Sequence, residues 1–162
     1  MDLYIIRHAD ALALGENGVT SDEERPLSEK GQRQAKQVAA GLHRRGVKLD
    51  AVLTSPLVRA LRTAEALVQP EGGVATELKV CEELAPGGRR KRLAKLLLAT
   101  AQGAVGIVGH QPDLGEFTAW LIGDKKVNLE LAKAGVAHVQ CSDLPRRGGG
   151  TLVWLVTPDW LA

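Results

Sequence analysis

The sequence has no marked excess of charge of either sign and no long hydrophobic run. Its 21 lysines and arginines against 19 aspartates and glutamates give a formal net charge of +2, whereas nucleic-acid-binding proteins usually carry a strong basic excess. No apolar stretch approaches the length of a membrane span, and the N-terminus shows no signal-peptide pattern. We therefore expect a cytoplasmic protein that binds neither nucleic acid nor membrane.

Cysteine is also scarce in this sequence. Cys81 and Cys141 are the only two and lie far apart, so reduced thiols are the expected state in the absence of a secretion signal. No pair of histidines or cysteines has the spacing of metal ligands. The sequence therefore gives no indication of a metal site.

Apolar stretches alternate along the chain with amphipathic ones. The predicted strands cover residues 3–7, 50–55, 75–81, 104–110, 135–142 and 151–158. The predicted helices cover residues 26–46, 56–68, 88–103 and 112–123. Over 162 residues, this alternation predicts a single α/β domain, 1–162, with helices on both faces of a mostly parallel sheet of about six strands. The last two strands are expected to pair and to add an antiparallel member.

Charged and polar residues follow two of the predicted strands where each strand ends. Arg7 and His8 end the first strand in the stretch YIIRHADA, and His110 ends the fourth in IVGHQP. In open α/β sheets, ligands bind beyond the carboxyl ends of the strands. We therefore expect the two histidines to share one ligand-binding site at this edge of the sheet, which we call the mouth. The polar, glycine-containing stretch 15–25 is expected to be a mobile loop near the same edge.

Two predicted helix starts adjoin this mouth. Ser55 suits an N-cap and Pro56 the first helical position, so that Arg59 falls in the first turn, off the apolar face that packs inward. Pro112 opens a helix directly after His110. Free N–H groups and the positive end of the helix dipole favour an anion at such positions.

The combination of two arginines, two histidines and two helix starts favours a phosphoryl ligand. Arginine binds phosphate through a bidentate fork and stays charged. Histidine acts as a nucleophile or a proton donor near neutral pH. Taken singly, each of these features is common on protein surfaces, and it is their conjunction at element boundaries that indicates a phosphoryl site.

A competing pattern begins at Cys141, where CSDLPRR has the C-x5-R spacing of thiol phosphatases. In such a loop the backbone N–H groups must face phosphate. Here Asp143 would repel the anion and Pro145 lacks an N–H group. We interpret this match as chance.

The other histidines and the main basic run have simpler interpretations. His43 lies on a polar helix face and is expected to be solvated, and His138 alternates within a strand and is expected to be structural. The run RRKR at 89–92, with Lys95, is typical of a solvated face. If it flanks the mouth, it would steer an acidic protein partner.

The ordered set of motifs resembles the histidine phosphatase superfamily, whose mark is an Arg-His pair at the end of the first strand. Within the superfamily the sequence is similar to the small SixA-type phosphohistidine phosphatases. The matching stretches are RHADA at 7–11, RPLSEKG at 25–31, SPLVRALRTA at 55–64, ELAP at 83–86 and GH at 109–110.

The resemblance implies a phosphoglycerate-mutase-like fold, here a three-layer α/β/α sandwich without a cap domain, and catalysis without metal or other cofactor. His8 would attack phosphorus and become phosphorylated. The phosphoryl oxygens would be held by Arg7, Arg59 and His110. Arg25, which falls on the R-P-L motif, would add a substrate contact.

A proton donor is the remaining role that the resemblance raises. Phosphoglycerate mutases and larger relatives place a glutamate near the end of the third strand, where this sequence has Glu82 and Glu83; Glu83, in ELAP, is the candidate. An alcohol leaving group needs a proton to depart. A phosphoimidazole carries its own basic nitrogen and leaves without an enzyme acid, so phosphohistidine would make the smallest demand on this residue.

The expected function is metal-independent removal of phosphate from phosphohistidine in a signalling protein, such as a phosphotransfer domain, by a monomer. An alternative keeps the chemistry but acts on a small phosphorylated metabolite. An alternative of another class is a non-catalytic adaptor that binds phosphohistidine. The presence of both histidines and both arginines argues against the adaptor.

Overall fold

The computed structural model describes residues 1–68, 76–100, 103–123 and 126–162. Its strands are β1 (Asp2–Arg7), β2 (Ala51–Thr54), β3 (Glu77–Val80), β4 (Ala104–Gly109), β5 (Val136–Cys141) and β6 (Gly150–Val156). Its α-helices are α1 (Glu29–Arg44), α2 (Val58–Val68), α3 (Arg90–Thr100) and α4 (Asp113–Leu121). Every predicted strand and helix is present with shifted ends. Residues 75 and 101–102, included in two predictions, lie outside the described part.

The six strands form one sheet in the order β3-β2-β4-β1-β5-β6. Strands β1, β4, β2 and β3 are mutually parallel, and β5 runs antiparallel to both β1 and β6. The predicted sheet with an antiparallel member is therefore confirmed. The carboxyl ends of β1, β2 and β4 lie side by side at one edge, as the binding-site argument requires.

Side chains of β1 alternate between two separate hydrophobic clusters. Leu3 and Ile5 belong to the cluster that contains the inner faces of α3 and α4. Tyr4 and Ile6 belong to the cluster that contains those of α1 and α2. Because successive residues of a strand point to opposite faces, this alternation places helices on both sides of the sheet. The fold is a three-layer α/β/α sandwich, and no cap domain is present among the described residues.

The start of α1 is fixed against the chain that follows His8. Ser28 is the N-cap, as predicted, and its Oγ accepts the Gly31 N–H at 3.0 Å. The same hydroxyl donates to Asp10 Oδ2 at 2.6 Å. A Cβ atom at Gly31 would lie 1.9 Å from the Asp10 carbonyl oxygen, so only glycine permits this approach. The RPLSEKG motif thus anchors a helix to the segment that carries His8.

Helix α2 begins later than predicted. Ser55 continues the sheet, with its N–H donating to Val108 O at 3.0 Å, and Leu57 O accepts the first helical bonds from Ala60 and Leu61. Ser55 Oγ accepts the Leu57 N–H at 3.3 Å and so closes a turn before the helix. The prediction of Ser55 as N-cap was wrong, because tertiary pairing with β4 extends past the residues that local capping preferences single out.

Candidate active site

The register of β1 and β4 places the two histidines side by side. Ile6 pairs with Val108, and the His8 N–H continues the ladder by donating to Gly109 O at 3.0 Å. His8 and His110 lie two residues beyond that pair, each just past the end of its strand and at the same edge of the sheet. Their ring centroids are 5.1 Å apart, which confirms the shared mouth.

The ring of His8 is held by a hydrogen bond at each nitrogen. Nδ1 lies 2.8 Å from the carbonyl oxygen of Ala9. Because a carbonyl only accepts, Nδ1 carries the proton. Nε2 therefore presents its lone pair, which accepts from Nε of Arg59 at 3.3 Å. The buried His8 ring, 7% exposed, is thus fixed in the tautomer of an Nε2 nucleophile.

Arg59 is buried within the mouth rather than set apart from the packed face. It is 5% exposed, and two of its nitrogens contact the loop that precedes α1. Nη1 donates to the carbonyl oxygen of Asp22 at 2.6 Å, and Nη2 to Asp22 Oδ2 at 3.1 Å. The sequence placed Arg59 in the first helical turn, which is confirmed, but it gave no indication of this burial.

His110 is positioned by Ser55, whose Oγ lies 2.8 Å from Nε2. Ser55 itself is fully buried. Among the described residues, the buried Nδ1 of His110 has no hydrogen-bond partner. In the tautomer in which Nε2 accepts from the Ser55 hydroxyl, Nδ1 carries the proton and can donate to an oxygen atom of a ligand.

Arg7 is the last residue of β1 and directly precedes His8. Its Nη1 donates to Leu131 O at 2.8 Å. Its Nε is buried and has no partner among the described residues. The charge of Arg7 contributes to the lowered pKa of both His8 and His110, after burial.

The environment keeps both imidazoles neutral. Burial, followed by the positive charges of Arg59, Arg7 and Lys133, lowers the pKa of His8 to about 4 against the opposing bond to Ala9. Burial, followed by the nearby His8 and then Arg59, lowers the pKa of His110 to about 3. At pH 7 His8 therefore needs no base to expose its lone pair.

Two further residues connect these parts, and the sequence did not identify their roles. Thr63 Oγ1 donates to Arg59 O at 2.8 Å and accepts the Ala9 N–H at 3.0 Å, which ties α2 to the segment after His8. Thr63 stands in the SPLVRALRTA motif, so a signal existed. Asp22 lies in the polar stretch 15–25, where no periodicity or motif marks it.

Arg25 and Arg59 are connected through Asp22, which contacts both. Nε of Arg25 donates to Leu12 O at 2.5 Å and its Nη1 to Asp22 Oδ1 at 3.0 Å. The hydrogen bond from Arg25 is the main reason that the pKa of Asp22 is lowered, so Asp22 is ionised at neutral pH. Arg25 thus contacts the group that holds Arg59, and no direct contact with either histidine is present.

Glu82 and Glu83 line different recesses. Both lie in a short 3-10 helix, Glu82–Leu84, that follows β3. Glu83 lines a small cavity together with His110 and Arg90, whereas Glu82 lines a groove with Asp22 and Pro86. Of the two candidates for a proton donor, Glu83 is the one that shares a cavity with a histidine of the mouth.

The positions of Cys141 and His138 agree with the interpretations that the sequence suggested for them. Cys141 ends β5, which is antiparallel to β1, and its N–H donates to Met1 O at 2.9 Å, at the opposite end of the sheet from His8. Burial raises the pKa of its thiol, and both cysteines are free and buried. His138 stacks on Tyr4 and bonds Asp2 Oδ1 at 2.8 Å, a structural role as predicted.

No group of three or more histidine, cysteine, aspartate or glutamate side chains among the described residues could hold a metal ion. No helix in that part of the chain is long and apolar enough to cross a membrane.

This fold and the paired histidines define the class. The chain belongs to the histidine phosphatase superfamily, a family of hydrolases, and the model of branch 1 of that superfamily matches residues 3–87. Within the superfamily it is of the SixA type.

Three similarities describe its place in more detail. The chain is 35% identical to an uncharacterized protein of Picosynechococcus sp., over 99% of each chain. It is 29% identical to the phosphohistidine phosphatase SixA of Escherichia coli (strain K12), over 98% of this chain and 94% of SixA. The solved structure of the protein histidine phosphatase SixA complexed with tungstate superposes with a TM-score of 0.83 at 27% identity, covering 100% of both chains.

Proposed function

We propose that this protein removes the phosphoryl group from a phosphohistidine of a signalling protein through a phospho-His8 intermediate. The observation that carries the proposal is the orientation of His8. Its Nδ1–H is bonded to Ala9 O, and its Nε2 lone pair lies against the guanidinium of Arg59. A nucleophile held next to a fixed cation is what in-line attack on a phosphoryl group requires.

In the first step, His8 Nε2 forms a bond to phosphorus while the phosphorus–nitrogen bond of the substrate breaks. The substrate ring, protonated on its other nitrogen, departs as a neutral imidazole. His8 keeps its Nδ1 proton, and the Ala9 carbonyl stabilises the positive charge that develops on the phosphorylated ring. The exchange is close to one of like for like.

In the second step, water attacks the phosphorus of phospho-His8 and the bond to Nε2 breaks. The electron pair returns to Nε2, the two protons of water remain on the departing phosphate, and His8 is restored with its Nδ1 proton. Arg59, Arg7 and the free Nδ1 of His110 are proposed to hold the phosphoryl oxygens in both steps. Electrostatic stabilisation by such fixed groups supplies most of the acceleration in phosphoryl transfer.

The choice of phosphohistidine is supported by similarity and by the open edge of the sheet. The SixA of Escherichia coli, alike over nearly the whole chain, is a phosphohistidine phosphatase, and a SixA structure holds tungstate, an oxyanion of phosphate-like shape. The described residues contain no cap domain. A phosphorylated side chain on a folded protein needs a site that is open to a bulky partner, whereas a small metabolite gains affinity by being enclosed.

The basic turn at the start of α3 is proposed to receive the partner protein. Arg90 lines the cavity that His110 also lines, and the side chains from Arg89 to Arg92 are exposed. An acidic partner surface would be attracted to this turn. Arg92→Glu should raise KM for a phosphohistidine protein, and Arg147→Glu, in the loop after β5 at the other end of the sheet, should not. Equal effects of the two changes would contradict this docking site.

A small phosphate ester is the second candidate substrate, and the position of Glu83 favours it. An alcohol leaving group needs a proton, and Glu83 shares a cavity with His110. The deciding experiment compares kcat/KM for a phosphohistidine protein with that for a panel of phosphate monoesters.

We expect a preference for phosphohistidine of at least about a hundredfold, roughly 2.7 kcal/mol. His8→Ala serves as the control for contaminating phosphatases. Equal rates on both classes would contradict the substrate assignment but not the nucleophile. Tight binding of the phosphoprotein by wild type, without turnover, would instead indicate the adaptor.

A further inference from the structure

A carboxylate lies inside the site that is proposed to bind an anion. Asp22 places its carbonyl oxygen 2.6 Å from Nη1 of Arg59 and its Oδ2 3.1 Å from Nη2. The side chain of Arg59 is 6% exposed, whereas that of Asp22 is 50% exposed. The buried partner is thus the cation, and the anion comes from a surface loop.

This contact occupies the part of Arg59 that phosphate prefers. A guanidinium binds phosphate best through two parallel N–H groups. Of the three nitrogens of Arg59, Nε faces His8, and Nη1 and Nη2 both face Asp22. A phosphoryl group seated on His8 therefore competes with the Asp22 carboxylate for Nη2, while Nη1 remains bonded to the Asp22 backbone carbonyl.

We propose that Asp22 competes with phosphate for Arg59 and thereby limits retention of the product. The inference rests on the proposed phosphoryl site. Of the cations close enough to lower the pKa of His8, Lys133 is already paired with Asp10, whereas the buried Arg59 would attract inorganic phosphate strongly without a counter-anion. Asp22 supplies that counter-anion within contact distance of Arg59, and Arg25 holds its second oxygen in place at 3.0 Å.

The competition has a consequence for turnover. Phosphate leaves after phospho-His8 is hydrolysed, and the Asp22 carboxylate is then ready to take back its contact with Nη2 of Arg59. Half of its side-chain surface is exposed, so the carboxylate can be solvated while substrate occupies the site. The phosphoryl group of a substrate has additional binding energy from the rest of the partner protein, which free phosphate lacks. Asp22 thus weakens the binding of substrate and product by the same factor, but the additional contacts of the substrate keep it bound while free phosphate is released.

The test measures binding of inorganic phosphate to the whole protein by isothermal titration calorimetry. Asp22→Asn removes the charge and keeps the size and the backbone carbonyl. Glu23→Gln is the matched control, because Glu23 is the exposed next residue and lines the same groove. We expect Asp22→Asn to lower the Kd for phosphate by about tenfold, or 1.4 kcal/mol, and Glu23→Gln to change it by less than twofold.

An unchanged or higher Kd in Asp22→Asn would overturn the proposal, since it would mean that the carboxylate positions Arg59 rather than competes for it. Asp22→Ala guards against an indirect effect of the amide and should also bind phosphate more tightly. Arg59→Ala identifies the site. If its Kd for phosphate equals that of wild type, the phosphate binds elsewhere, and both this inference and the proposed function fall. If Arg59→Ala loses binding but Asp22→Asn does not gain it, only this inference falls.

Discussion

Nε of Arg59 lies 3.3 Å from Nε2 of His8, and both side chains are buried. Because Nδ1 of His8 donates to Ala9 O, the atom that faces Arg59 carries the nucleophilic lone pair. In the proposed mechanism, the same guanidinium aligns the nucleophile in the free enzyme and would lie next to phosphorus once the bond to Nε2 has formed. Because Arg59 has both roles, we expect activity to depend on the shape of its side chain as well as on its charge.

Arg59→Lys is expected to lower kcat/KM by about 30- to 1000-fold, which corresponds to roughly 2–4 kcal/mol of transition-state stabilisation. Lysine keeps the charge, but a single ammonium group cannot contact His8 and the phosphoryl oxygens as the planar fork does. Arg62→Lys, on an exposed side chain of the same helix paired with Glu65, is the matched control. Activity of Arg59→Lys within a few-fold of wild type would remove Arg59 from the phosphoryl site.

The neutral histidines predict a loss of stability in acid. The pKa of His8 is about 4 and that of His110 about 3 in the folded chain, against about 6.5 in an unfolded chain. Below pH 6.5 the unfolded state binds more protons, so the free energy of unfolding falls as the pH is lowered from 6.5 towards 4 and is fully retained above that range.

Denaturant unfolding at pH 7 and pH 5 checks this contribution. In the double variant His8→Gln/His110→Gln, the decrease between the two pH values should be smaller than in wild type, because carboxylates and other groups contribute equally to both proteins. Identical decreases would mean that neither ring is held neutral by the fold.

Glu83→Gln is expected to reduce turnover of an alkyl phosphate by on the order of a hundredfold, the usual contribution of a general acid. Turnover of phosphohistidine should stay within about threefold, since a protonated imidazole leaves without help. Glu82→Gln, whose side chain lines the other groove, should affect neither substrate. Equal losses on both substrates in Glu83→Gln would contradict the assignment of Glu83 as a proton donor.

Cys141→Ser and chelation with EDTA test the two alternative mechanisms, a thiol nucleophile and a catalytic metal ion. Cys141 lies next to Met1 at the far end of the sheet, and its buried thiol has a raised pKa, so the thiolate is not formed near neutral pH. We expect activity within about twofold of wild type for Cys141→Ser, assayed where the variant is folded, and for wild type in EDTA. Loss of activity with alkylation of Cys141, or with EDTA, would restore the thiol or the metal mechanism.

The pairing of His8 with His110 was predictable because it depends on regular structure. Both residues end strands of a parallel sheet, and the shared edge follows from strand–helix alternation alone. The register that pairs Ile6 with Val108 then brings the two rings to within 5.1 Å of each other. Local patterns therefore predicted that the two histidines meet at one edge, but not the register that sets the distance between their rings.

The start of α2 and the role of Asp22 were not predictable in the same way. Ser55 has the composition of an N-cap, but its N–H pairs with Val108 and its hydroxyl with His110, so long-range contacts outweigh capping preference. Asp22 lies in a polar loop without periodicity. Its contact with Arg59, 37 residues away in the sequence, exists only in the folded chain.

The most direct measurement is to quench the protein during turnover of a phosphohistidine substrate and to locate the phosphate on it. The ring of His8 is neutral and presents the lone pair of Nε2 to the mouth, so the bond to phosphorus should form at Nε2. We predict an acid-labile, base-stable phosphoryl group that maps to His8, with none in His8→Ala and no turnover by that variant. Phosphate trapped on another residue, together with a His8→Ala protein that still turns over substrate, would contradict the phospho-His8 mechanism.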